Sequence, residues 1–344
     1  MLNDPSVRIA LVGGGGFIGS HLLSAVLERT AWRVLAVDFE SSKISEYLNS
    51  PRVEFLRADI ADASVMHKVA ECGIVVNLAA ICTPARYMKE ATAVIESNFT
   101  HPAALANACA ASGAWLIHFS TSEVYGKTSA DAVPLKEDSS PFVRGSVRAS
   151  RWSYACAKEL AERWIASLGG LRYTIVRPFN FVGPRMDFMP GVDGSGIPRV
   201  LANFCSAIIR GESPVLVNGG VSRRSFTAVR DAVNFMFALF AHREQACGEA
   251  FNVGNPANEC TIAGLAHKLQ TLYSKITDVP FASLPVPRAE SAIEFYGEGY
   301  EDSLRRIPDV SKAERLLGWT PEIALDDALE ESLAWFIRHY AVCG

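Results

Sequence analysis

Short apolar runs recur through the first half of the chain, each followed by a longer stretch of different periodicity. Residues 8–12 (RIALV), 33–37 (RVLAV), 53–56, 73–78 (GIVVNL), 115–119 (WLIHF) and 173–176 (YTIV) form these runs. Nearly unbroken apolar runs of this length suit strands covered on both faces. Residues 17–28, a polar stretch after 56, residues 98–111 and residues 154–168 carry helical patterns. Strands alternating with helices predict βαβ units and a parallel sheet. After Pro178 the texture changes. Residues 179–199 are rich in Gly and Pro with little periodicity, and predict a long functional loop. Helices are expected at 197–210, 228–243, 262–273 and 325–340, a strand at 250–253, and irregular chain over 275–308. The expected fold class is α/β, a doubly wound parallel sheet with a small C-terminal cap. Residues 1–178, with 226–260 returning, make the sheet part; residues 179–225 and 261–344 make most of the cap.

Composition narrows the function classes. The 344 residues are 49% hydrophobic and 20% charged, ordinary globular usage. A net charge of -4 argues against a nucleic-acid binder working through a broad basic face. No apolar stretch approaches the roughly 18 residues of a membrane span, so no membrane partner is expected. The start, MLNDPSVR, has neither the basic nor the apolar region of a signal peptide. Eight cysteines, at 72, 82, 109, 156, 205, 247, 260 and 343, form no CxxC pair and no ligand spacing with histidine. They read as reduced thiols of a cytoplasmic protein, with no metal site. His118, inside an apolar strand, reads as a satisfied core residue, and Cys156 as packed inward.

The first strand runs directly into Gly13-Gly14-Gly15-Gly16-Phe17-Ile18-Gly19, which opens the first helix. Gly13, Gly16 and Gly19 provide the tight turn and close approach that a pyrophosphate needs at a helix N-terminus. Asp38, at the end of the second strand, stands 19 residues past Gly19. A carboxylate there accepts from ribose hydroxyls and repels a 2′-phosphate, which favours NAD over NADP. The sheet is therefore expected to be Rossmann-type. Asp59 and Ile60, ending the third strand, are placed to frame an adenine.

Tyr154 and Lys158 form Y-x-x-x-K, a spacing that puts both on one helical face. An ammonium beside a phenol is expected to lower the phenol pKa toward neutrality, so that the phenolate can take a hydroxyl proton during oxidation. Ser120-Thr121-Ser122 at a preceding strand end can hydrogen-bond the same substrate oxygen.

The glycine loop, the hydroxyls, YxxxK and the tail Asp309-VSKAERLLGWT-Pro321 together resemble the extended short-chain dehydrogenases that act on nucleotide sugars. Within that group, NLAAICTPA (77–85), FSTSEVYG (119–126), RWSYACAK (151–158), VRPFN (176–180), GPRMDF (183–188) and EFYGEGY (294–300) are similar to UDP-apiose/UDP-xylose synthases. They also resemble the UDP-glucuronic acid decarboxylase domain of bacterial lipid A modification. The resemblance implies an NAD cofactor, contacted also by Phe17, Ile18 and Ala79, and a homodimer formed through the YxxxK helix. It implies a sugar-nucleotide-binding cap, a UDP-sugar substrate and oxidative decarboxylation of UDP-glucuronate. Oxidation at C4 puts a ketone β to the C6 carboxylate, so CO2 can leave into an enolate without a metal, giving UDP-4-keto-xylose and UDP-xylose. By the same resemblance Glu123 faces the sugar carboxylate, Arg306 contacts it and helps protonate the enolate, and Thr121 and Ser122 act beside Tyr154. Arg151, Cys82, Asn180, Arg199, Arg224 and Tyr300 fall at substrate-contacting positions.

One position departs from the plant enzymes, which carry cysteine where Ser122 stands here. A serine hydroxyl is a far weaker acid than a thiol. Ring contraction to apiose therefore becomes the alternative to simple decarboxylation. A UDP-glucuronate 4-epimerase would share Tyr154 but not need Glu123 and Arg306. A sugar 4,6-dehydratase would pair acids after its threonine, where Val124 follows Glu123 here. A non-catalytic NAD sensor would not need the intact tyrosine and lysine.

Overall fold

A computed structural model describes residues 2–127, 134–298 and 300–341; Cys343 lies outside the described residues. Six strands in chain order, β1 (Arg8–Val12), β2 (Arg33–Asp38), β3 (Val53–Arg57), β4 (Ile74–Asn77), β5 (Trp115–Phe119) and β6 (Arg172–Pro178), join Glu249–Val253 in one sheet. The spatial order is Glu249–Val253, β6, β5, β4, β1, β2, β3. Every neighbouring pair is parallel. The order reverses between β1 and β4, and in such sheets a ligand binds beyond the carboxyl ends of the strands at that switch point. Both faces are covered, so β4 and β5 are buried along their whole length.

Helix Phe17–Arg29 packs on helix Val229–Ala241. Between them and the sheet, Phe240 sits 5.0 Å from Trp32 and 6.4 Å from Trp115, ring centre to ring centre. The chain thus returns after the irregular segment to complete the sheet face and add its last strand.

Three helices, Val200–Ile209, Ile262–Thr277 and Leu325–Tyr340, pack together in the C-terminal half. Two features differ from the sequence expectation. The helix expected from residue 98 begins at Ala91 and continues to Ser112 through a wider turn at Glu96–Thr100. There Asn98 Nδ2 donates to the carbonyls of Val94 and Ile81 at 2.8 and 3.1 Å, which pins the segment carrying Cys82.

Residues 275–308, expected to be irregular, contribute strands Arg288–Glu290 and Arg305–Arg306 and helix Ala292–Tyr296. That short helix starts in a capping box between Ser291 and Glu294. Strands of two or three residues, RR and RAE, carry no apolar period, which is why the pattern missed them.

Candidate active site

The site is built where strand ends meet the glycine loop. Gly13 has φ +85, and a Cβ there would meet the Ala79 amide nitrogen at 2.8 Å. At Gly19 a Cβ would run into the backbone of Gly13 and Gly14. The loop therefore needs glycine at both places and leaves an open cradle at the N-terminus of helix Phe17–Arg29. A groove of ≈ 570 Å³ runs from it and is lined by Gly13, Gly16, Phe17, Ile18, Gly19, Asp38, Asp59, Ile60 and Ala79. Asp38 is fixed at the lip, its carboxylate accepting from the Gly15 and Glu40 amides at 3.0 and 3.2 Å. The cradle, the helix end and the oriented carboxylate fit a dinucleotide. The loop would hold its diphosphate, Asp38 a ribose, and Asp59 and Ile60 the adenine.

Beyond β5 a second cavity of ≈ 300 Å³ gathers Thr121, Ser122, Glu123, Arg151, Tyr154, Lys158, Asn180, Arg199, Arg224, Tyr300 and Arg306. Cys82 and Arg199 line both spaces. Thr121 caps the turn Ser122–Tyr125, its hydroxyl accepting from the Glu123 amide at 3.1 Å. The preceding strand end is tied down by Glu162, which accepts from the Ser120 hydroxyl and from both Arg177 Nε and Arg177 Nη2, at 3.0 and 2.6 Å.

Helix Ser153–Ser167 carries Tyr154 and Lys158 on its inner face. Cys156, expected to pack inward, is exposed. At roughly 100° per residue it sits far round the helix from both. The Tyr154 ring is stacked on that of Tyr87, 4.8 Å between centres and 10° from parallel.

The expected electrostatics need correction. Burial pushes the Tyr154 phenol well above its ordinary value; nearby Cys82 and Glu123 add to this, and the Thr121 hydrogen bond opposes it. Lys158 Nζ donates to the Phe119 carbonyl at 2.7 Å. Burial lowers Lys158 to about 8, against upward pressure from Cys82 and Glu162. The lysine's hydrogen bond goes to the backbone, and desolvation dominates the phenol. His118 is also less satisfied than expected. Its Nδ1 is 3.3 Å from Asn77 Nδ2, its Nε2 has no partner among the described residues, and burial holds it neutral.

Opposite Tyr154 lies a buried ionic cluster. Arg151 Nη1 donates to Glu123 Oε2 at 2.5 Å, and Glu123 Oε1 is 3.8 Å from Arg306 Nη1. Asp302 accepts from Arg306 Nη2 at 3.2 Å and from Arg224 Nη2 at 2.6 Å. Burial pushes Asp302 up, but Arg224, Arg306 and Arg151 outweigh it and hold it below the ordinary carboxylate value.

Three guanidinium groups thus face two carboxylates, and Nε of Arg151 and of Arg306 has no partner among the described residues. A buried excess of positive charge is costly unless an anion completes it. Local register explains the arrangement. Arg305–Arg306 pairs in parallel with Arg223–Arg224. Alternation along strands turns Arg224 and Arg306 inward, while Arg223 and Arg305 both bond Glu259, at 2.8 and 2.6 Å.

Sequence reasoning missed Tyr87, Asn98, Tyr296 and Asp302. Tyr296 stacks on Tyr300 at 4.2 Å, and Tyr300 packs 5.6 Å from the Arg151 guanidinium. An acid four residues before Arg306, two residues past the stretch 294–300, was the available signal. Asn180, expected to contact substrate, lines the cavity but donates to the Ser225 carbonyl at 3.0 Å. Arg199, also expected there, is paired with Asp187.

A dinucleotide cradle opening onto a buried tyrosine–lysine pair defines an NAD-dependent enzyme of the short-chain dehydrogenase class. The model of the NAD dependent epimerase/dehydratase family matches residues 9–254, and the chain belongs to this family. It is 43% identical to UDP-D-apiose/UDP-D-xylose synthase 1 of Arabidopsis thaliana, over 97% of this chain and 92% of that relative. The crystal structure of the PbgP3 protein of Burkholderia pseudomallei is similar at a TM-score of 0.85 and 30% identity, covering 98% of each chain. UDP-glucuronic acid 4-epimerase of Bacillus cereus, solved with UDP-glucuronic acid and NAD, shares the fold at a TM-score of 0.81. It is 22% identical and covers 97% of this chain and 100% of that one.

Proposed function

We propose that this enzyme oxidises UDP-glucuronate at C4 and releases C6 as CO2, giving UDP-4-keto-xylose and, after re-reduction, UDP-xylose. The observation that carries the reading is the three-to-two arginine–carboxylate cluster beside Tyr154. It offers a buried positive excess for one substrate carboxylate while keeping Glu123 in the same space. When bound, NAD supplies the acceptor for the two electrons from C4 and returns them for the reduction. Tyr154 takes the C4 hydroxyl proton, with Thr121 and Ser122 bonding the same oxygen. Arg151 and Arg306 orient the C6 carboxylate, and Glu123 sets a like charge against it. Once CO2 leaves, Arg306 stands where a proton is returned to C5.

We infer that residues 1–178, with 226–260, serve the dinucleotide, and residues 179–225 and 261–344 the sugar nucleotide. Incubation with UDP-glucuronate and NAD+, followed by CO2 detection and NMR of the nucleotide sugars, tests the reaction. Equimolar CO2 with a 4-keto-pentose or xylose product is expected. Galacturonate without CO2 would overturn the reading, and a branched furanose would move it to ring contraction.

A cytoplasmic homodimer belongs to the same proposal. No described helix is long and apolar enough to cross a membrane. On the neighbouring helices Ala91–Ile95 and Ser153–Ser167, Ile95, Leu160 and Trp164 are 42%, 47% and 39% exposed, and Phe99 packs edge-on at 6.1 Å from Trp164. An apolar stripe of this kind suits a second copy of the same helices. Trp164→Glu is expected to convert the dimer to monomer in sedimentation velocity without a change in helical content. An unchanged dimer would place the interface elsewhere.

A further inference from the structure

Residues 183–199, which lack the regular pattern of their neighbours, cross from the sheet to the cap along the cofactor groove. Their first half is cross-linked to the glycine-loop side. His21 Nε2 donates to the Pro184 carbonyl at 2.8 Å, and its Nδ1 accepts from Arg185 Nη2 at 3.1 Å. Burial lowers His21 to about 4, so the ring is neutral at pH 7 and can do both. Arg185 Nη1 donates to the Lys43 carbonyl at 3.2 Å, and Lys43 Nζ donates back to the Asp187 carbonyl at 2.7 Å.

Asp187 in turn accepts from Arg199 Nε at 2.9 Å and from the Arg199 amide at 2.7 Å, closing the segment on itself. The Arg199 guanidinium rests 5.7 Å from the ring centre of Phe17, the first residue after the glycine cradle. Lys43, Asp187 and Arg199 all line the groove.

The backbone here is held against its preference. Arg185 and Asp187 have φ of 63 and 54. Non-glycine residues rarely adopt this left-handed region, and they persist in it only where the surroundings over-determine them. The seam of bonds to His21 and Lys43 supplies that constraint. It also brings two cations, Lys43 and Arg199, to the groove beside the helix end where a diphosphate would bind, with one acid between them.

We propose that residues 184–199 form a strap over the dinucleotide, that Lys43 and Arg199 face its diphosphate, and that the strap must detach from His21 and Lys43 before the cofactor exchanges. Arg199 then serves the cofactor side of the site, not only the UDP side. The function of the strap is retention: a cofactor reduced at the first step must stay bound until the second. The proposal rests on NAD dependence but not on the identity of the sugar.

The test is release of NADH from preloaded enzyme, followed by its fluorescence after mixing with excess NAD+. Lys43→Met is expected to speed release about tenfold or more, since it removes a charged hydrogen bond and a cation from the seat. Lys43→Arg should restore slow release in part. UDP affinity, by titration calorimetry, should stay unchanged in both, because Lys43 lines only the cofactor groove. Arg185→Met breaks the strap's outer bonds without entering the groove and is expected to speed release as well, which keeps the test open if Lys43→Met does not fold. Unchanged release in the folded variants overturns the strap. An equal loss of UDP and NADH affinity also overturns it, as general loosening of the fold. Failure of the wild-type protein to bind NADH would instead defeat the NAD assignment itself.

Discussion

Tyr154→Phe is expected to lower turnover by about 10²–10⁴-fold, the usual contribution of a positioned proton-transfer group, while leaving NAD and UDP affinity and thermal stability near wild type. The substitution keeps the ring that stacks at 4.8 Å on Tyr87 and deletes only the hydroxyl. That hydroxyl is the proton acceptor in the proposed oxidation, and Thr121 already bonds it. Burial favours the protonated phenol in this structure, so the hydroxyl must give up its own proton before it can take the one from the C4 hydroxyl. Lys158, lowered to about 8, is still mostly charged at pH 7 and is buried on the same helical face. Turnover within a few-fold of wild type would remove Tyr154 from the chemistry. Joint loss of cofactor binding would reduce it to a structural role.

The cofactor side was legible in the sequence because its signals are local. Gly13, Gly16, Gly19 and Asp38 belong to one βαβ turn, and a strand–glycine–helix pattern has few other physical uses. The sheet was legible for a related reason: strands buried on both faces must be almost wholly apolar, and residues 9–12 are, as are residues 115–119 apart from His118.

The cap was less so. Arg224 and Arg306 meet because two very short strands pair in register, and nothing in the composition of RRS or RR announces a strand. Asp302 matters only through those two arginines, so it had no meaning until they were placed. The direction of the Tyr154 shift was misjudged because the four-residue spacing fixes a shared helical face but not the partner to which the lysine donates. The Phe119 carbonyl, 39 residues upstream, was the competitor. Cys156 was misplaced although spacing alone would have turned it outward once Tyr154 and Lys158 were turned in.

The second large effect concerns the step after oxidation. Glu123→Gln is expected to lower kcat by about 10²-fold or more, a loss at the low end for a group acting on proton transfer, and to lower KM as well. The cluster holds three guanidinium groups and two carboxylates, and the variant leaves Arg151, Arg224 and Arg306 against Asp302 alone. With one more uncompensated positive charge, the cavity binds a substrate carboxylate more tightly. The same change removes the negative charge that opposes the carboxylate before CO2 leaves. Tighter ground-state binding with a slower step is the signature of lost ground-state destabilisation. Oxidation at C4 does not need Glu123, so reduced cofactor should build up in the first turnover, visible by absorbance near the onset of reaction, while CO2 lags behind it. The split between the two readouts separates this role from a structural one, because damage to the Arg151 pair would raise KM and delay both. An unchanged kcat, or a raised KM with CO2 and cofactor reduction still in step, would show that Glu123 only braces Arg151.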